Sequence, residues 1–146
     1  MISKLHHVAI LTANIEEAIA FYADLLGLET RPVIQVDRPD AKFHSVMLPL
    51  GTAGQTHLQI IEPCIGPGVG ELAKGGEGVL FEMGIQVDDI EAFHRQLADQ
   101  GISPVDIAGV EIEGKFVESK YGNRYFFLPR DKTRGARIEI VQIMSG

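Results

Sequence analysis

The same order of secondary structure occurs twice in this 146-residue chain, and that repetition most narrows what it can fold into. LHHVAIL, residues 5–11, reads as a strand. NIEEAIAFYADLLG follows as a helix, with Asn14 as N-cap, Glu16 and Glu17 at its positive end and Gly27 as C-cap. Ile15, Ala18, Ile19, Tyr22, Leu25 and Leu26 form its apolar face. Strand candidates follow around PVIQV, FHSVMLPL and THLQIIEP. After the glycine-rich CIGPGVGELAKGGEG the pattern restarts. VLFEMGIQV is a strand, and DDIEAFHRQLADQG is a helix capped by Asp88 or Asp89 with Ile90, Phe93 and Leu97 inward. Strand candidates follow around ISPVDI, RYFFLP and RIEIVQI. The expected fold is α+β: two tandem βαβββ modules forming curled mixed sheets around a shared cavity. One domain over residues 1–146 is expected, with module one at about 1–63, a linker at 64–78 and module two at 79–146.

The repeat extends to single residues. His7 lies seven residues before the cap Asn14, and Glu82 lies seven before Asp89. Gln59 stands between Leu58 and Ile60, as Glu139 stands between Ile138 and Ile140. Side chains alternate faces along a strand. Val8 and Ile10 therefore share one face, as do Phe81, Met83, Ile85 and Val87, and these apolar faces suit packing against the helices. The opposite face carries His7, Gln59, Glu82 and Glu139. A carboxylate is rarely buried in a strand unless it is paired or bound to a metal. A polar cleft shared by the two modules accounts for Glu82. His57 falls on the same side as Gln59 and is a candidate substrate contact, whereas His6 falls with the core face. Lys120 and Arg124 lie near a loop that could border the cavity mouth and receive a carboxylate, phosphate or enolate oxygen.

Composition excludes several classes. Lys and Arg total 13 against 20 Asp and Glu, a formal net charge of -7, which argues against a nucleic-acid partner. Cys64 is the single cysteine, so no intrachain disulfide can form. No apolar run approaches the roughly 20 residues of a membrane-spanning helix. MISKLHHVAI lacks a signal peptide's apolar stretch and cleavage site, and a cytoplasmic location is expected. The glycines of IGPGVG and KGGEGV lack the context and ending of a phosphate loop.

LHHVAILTANIEEAIAFYADLLGLE, MLPLG, LQIIEP, the GEG before the second module, VDDIEA, GNRYFFLP and RIEIVQ occur in an order that resembles the vicinal oxygen chelate superfamily. This is the group of glyoxalase I, extradiol dioxygenases, methylmalonyl-CoA epimerase and the fosfomycin and bleomycin resistance proteins. The methylmalonyl-CoA epimerase branch is the most similar. In that branch a divalent metal is held by one residue from each of four strands. The resemblance implies that His7, Gln59 and Glu139 fill three of these places. The fourth is normally the second histidine of a His-His pair, where this chain has Phe81 and Glu82. One imidazole and three oxygen donors suit Mn or Mg, with Co, Ni or Zn also compatible.

What the resemblance implies is a metal-dependent isomerase or epimerase, or a lyase of the same superfamily, that moves a proton alpha to a carbonyl through a metal-stabilised enolate. Glu139 is the first candidate for the proton-transferring base and Glu82 the second. Ser45 aligns with the place of a second catalytic carboxylate in some epimerases, and serine is a poor base unaided. The implied partner is a small molecule, an acyl-CoA or another carbonyl compound, and the implied assembly is a homodimer. A non-catalytic binding or resistance protein of the same fold is the alternative. A dioxygenase fits less well, because its iron usually takes two histidines and one carboxylate.

Overall fold

The computed structural model describes residues 1–39, 41–51, 56–64 and 80–144. Residues 65–78 of the expected linker lie outside the described residues. The elements are β1 (Ile2–Leu11), α1 (Ile15–Leu26), β2 (Ile34–Asp37), β3 (Lys42–Leu50), β4 (Thr56–Pro63), β5 (Leu80–Val87), α2 (Ile90–Asp99), β6 (Val117–Glu118), β7 (Arg124–Phe127) and β8 (Ile138–Gln142). No helix among the described residues is long and apolar enough to cross a membrane.

The strands form one eight-stranded sheet in the order β2-β3-β4-β1-β5-β8-β7-β6. Its halves are built alike. β1 pairs parallel with β4 and β5 pairs parallel with β8, while the outer strands of each half pair antiparallel. An antiparallel ladder between β1 and β5 joins the halves. The fold is the expected α+β arrangement of two βαβββ modules in a curled mixed sheet. One segment departs from it: ISPVDI makes only isolated bridges, from Val105 to Glu111 and to Phe127. Pro104 has no N–H to give a ladder, and Asp106 Oδ1 accepts from the Ala108 and Val110 amides, closing a turn instead.

The caps form where the sequence puts them. The Asn14 side chain accepts from the Glu17 amide, Gly27 turns left-handed at φ 65°, and Asp89 accepts from the Ala92 amide. Helix α1 seats Ile15 and Ile19 against Ile10, Val46, Leu48 and Ile60. Leu25 and Leu26, expected on the apolar face, remain 65% and 52% exposed and lie outside the cluster that α1 packs against. Helix α2 seats Ile90 and Leu97 against Val87, Phe126 and Ile140. A third cluster fills the opposite, concave face. It unites Phe43 of β3, Ala9 and Leu11 of β1, Phe81 of β5, and Tyr125 and Phe127 of β7, so the sheet curls enough to bring its two ends together.

We propose that both modules fold as one domain, since this cluster draws on both. Ile60 and Ile140 are the matching core residues of the two halves. Ile60→Ala and Ile140→Ala should each cost about 2–5 kcal/mol in urea unfolding. Both should shift one common transition. Two transitions, each answering to one variant, would overturn the single-domain assignment.

Candidate active site

The candidate residues lie on the four central strands. Ala9 pairs with Gln59 on one side and with Glu82 on the other. His7 pairs with Gly84, which pairs in turn with Glu139. Two of the three register shifts in the β1–β5 ladder then refine what alternation alone predicts. Between Leu5 and His7 the first strand holds one residue more than its partner, and between Glu82 and Leu80 the fifth strand does. A bulge turns neighbouring side chains toward one face. His6 thus joins His7 at the concave side instead of facing the helix core. Phe81 likewise leaves the helix-facing row and packs with Ala9, Leu11 and Tyr125. Gly84 makes room for the imidazole: a Cβ there would lie 2.1 Å from His7 Cε1.

His7, Glu82 and Glu139 are buried, at 3%, 8% and 1% exposure. His7 Nε2 lies 3.2 Å from Glu82 Oε1 and 3.8 Å from Glu139 Oε1, while His7 Nδ1 lies 2.8 Å from Nδ1 of His6. The second oxygen of Glu139 accepts from Arg38 Nη1 at 2.7 Å. Burial disfavours a charged His7, but the Glu82 hydrogen bond and the Glu139 charge outweigh it and hold its pKa above the ordinary value. Burial, then the Glu139 charge, pushes the Glu82 carboxyl up. Burial also acts to raise Glu139, but the Arg38 and His7 charges prevail and hold it below the usual carboxylate range. Burial and the His7 charge lower His6 to about 4.

A cavity of about 170 Å³ opens beside this cluster. His7, Gln59, Ser45 and Glu139 reach its wall, and His6, Arg38 and Tyr125 complete the polar lining nearest them. Glu82 stands outside the lining, against His7. Gln59 Nε2 donates to Ser45 Oγ at 3.0 Å. Three of the expected contacts lie outside the cavity's described lining. His57 is not on the cavity wall and packs instead on the His6 ring, 5.7 Å between centroids. In the loop after β6, Ser119, Tyr121 and Asn123 face the cavity, which turns Lys120 and Arg124 away from it. Lys120 lies over Tyr121, and Arg124 lies over Phe116 and pairs with Glu118.

Sequence reasoning missed Arg38 and placed His6 on the wrong face. Arg38 had a readable signal, since Ile34, Val36 and Arg38 alternate along β2 and all three line the cavity. His6 had none, because alternation does not announce a bulge.

The residues fit a divalent metal. One ligand atom from each of His7, Glu82 and Glu139 lies within 4.8 Å of the others. Glu82 Oε2 and Gln59 Oε1 are buried with no hydrogen-bond partner among the described residues, which is costly for oxygens that nothing else serves. Gly84→Ala tests how tightly this cluster is built. It should destabilise the fold by about 1–3 kcal/mol in urea unfolding, because the imidazole must move; an unchanged midpoint would show that His7 has room to spare.

Comparison with known proteins agrees with this architecture. The sequence model of the Glyoxalase/Bleomycin resistance protein/Dioxygenase superfamily matches residues 6–117. An ethylmalonyl-CoA/methylmalonyl-CoA epimerase of Cereibacter sphaeroides is 30% identical over 98% of this chain and 100% of its own length. The mitochondrial methylmalonyl-CoA epimerase of Mus musculus is 28% identical over 97% of this chain and 74% of its own. A methylmalonyl-CoA epimerase solved in complex with methylmalonyl-CoA and NH4+ shares the fold, with a TM-score of 0.80 at 23% identity over 99% of this chain and 97% of that one.

Proposed function

The chain belongs to the Glyoxalase/Bleomycin resistance protein/Dioxygenase superfamily, and from that premise we propose that it is a metal-dependent, epimerase-like isomerase moving a proton at the carbon alpha to a carbonyl. The observation that carries the reading is the convergence of His7, Glu82 and Glu139 beside a cavity, in a chain whose full-length relative is an epimerase. The proposed substrate is an acyl thioester of the coenzyme A type. A cavity of about 170 Å³ suits its reacting acyl end, with the carrier extending outside.

His7, Glu82 and Glu139, with Gln59 as fourth donor, would hold the metal. When bound, it supplies Lewis acidity toward the substrate's carbonyl oxygen. Glu139 is the carboxylate that reaches the cavity, and Arg38 keeps it ionised, ready to accept the alpha proton. Glu82 acts from behind the lining, fixing the orientation of the His7 ring through Nε2. Inversion at carbon also needs a proton carrier on the other face of the planar intermediate. A solvent water held by the polar wall of His6 and Ser45 would exchange that proton; Ser45 Oγ itself accepts from Gln59.

The test is exchange of the alpha proton with deuterated solvent, followed by NMR. The panel is 2-substituted acyl thioesters and hemithioacetals, with Mn, Co, Ni or Zn present. At least one substrate should exchange, and Glu139→Gln should slow that exchange by about 10²–10⁴-fold. No exchange across the whole panel would sink the reading and favour a binding protein of the same fold. Elemental analysis is the companion measurement: bound metal should approach one equivalent per chain and be lost in Glu82→Ala.

A further inference from the structure

Arg38 stands where a purely structural cation would be wasteful. It follows β2, close to one edge of the sheet, yet its guanidinium reaches Glu139 of β8 across the concave face. Its Cζ lies over two aromatic rings, 4.2 Å from the Tyr125 centroid and 5.7 Å from the Phe43 centroid. One N–H goes to Glu139, and the other N–H groups have no acceptor among the described residues. The side chain keeps 17% exposure and lines the cavity. A planar fork stacked on aromatic rings, with one N–H engaged by Glu139, matches a carboxylate, which a guanidinium can take through two parallel hydrogen bonds.

Charge supports the same reading. Two carboxylates and a dication sum to zero, so Arg38 would supply the site's net positive charge. The chain as a whole carries -7. Arg38 is the one lysine or arginine among the described residues lining the cavity.

We propose that Arg38 is a specificity-determining residue that holds Glu139 with one edge and receives a carboxylate of the substrate with the other, so that the cavity selects acyl compounds bearing a free carboxylate over their neutral esters. The acyl part rests on the isomerase reading above; recognition of a carboxylate by Arg38 stands apart from it.

The probes are malonate and its dimethyl ester, titrated calorimetrically into the full chain, first with saturating Mn and then with chelator. Removing Arg38 alone would leave Glu139 buried and unpaired, so the informative comparison is Glu139→Gln against the double variant Arg38→Met, Glu139→Gln. With chelator, malonate should bind Glu139→Gln at least as tightly as wild type, since a competitor for Arg38 has gone. It should bind the double variant at least tenfold more weakly, with and without Mn, while ester binding stays unchanged. Arg38→Lys should retain part of the affinity, as a charge without the fork. Equal malonate affinity in the single and double variants, or a parallel loss for the ester, would overturn the proposal. Failure of alpha-proton exchange with Arg38-dependent malonate binding intact would remove the isomerase reading and leave the anion site standing.

Discussion

The antiparallel ladder between β1 and β5 is the contact on which the site depends. Every other strand pair in the sheet lies within one half. This ladder alone sets His7 of the first half beside Glu82 and Gly84 of the second. It also carries the two irregularities that shape the cleft. A regular ladder would turn His6 toward the helix side and leave Phe81 in the row that faces α2. The bulges instead bring a second imidazole and an aromatic ring to the concave face, and the added twist suits a sheet that must curl.

Burial makes the two carboxylates unequal. Glu139 has a permanent cation on one oxygen, and Glu82 has the imidazole on one oxygen and nothing on the other among the described residues. Their mutual repulsion is therefore resolved in one direction, with Glu139 firmly ionised and Glu82 pushed toward protonation. Environments that drive two titratable groups apart are those that let one fold run acid and base chemistry together. The asymmetry originates in Arg38, a residue of the first module, acting on a strand of the second.

Much of this was legible in the sequence because it rests on periodicity. The duplicated element order, both N-caps, the Gly27 cap and the polar row of His7, Gln59, Glu82 and Glu139 follow from spacing alone. What was not legible depends on departures from period. The bulge at His6 leaves no mark in composition. Lys120 and Arg124 were assigned by nearness to the loop rather than by which side of it they occupy, and the odd-numbered neighbours took the cavity. Arg38 is a different case: its cavity-facing position was readable from the alternation with Ile34 and Val36, but its partner was not. It lies 101 positions from Glu139, and that pairing is set by the curl of the whole sheet.

That distance ties curvature to chemistry. The concave cluster joins β3 to β7 through Phe43 and Tyr125, and the Arg38 guanidinium lies over the same two rings. A sheet that opened by a few ångströms would separate the rings, free the guanidinium to rotate and lengthen its bond to Glu139. The carboxylate would then lose the cation that keeps it ionised, and Oε1 would lose the fixed direction toward His7. The apolar contacts between the sheet's two ends thus do more than bury surface. They bear on the charge state of Glu139 and on the direction in which its Oε1 points, the two properties on which its proposed role depends.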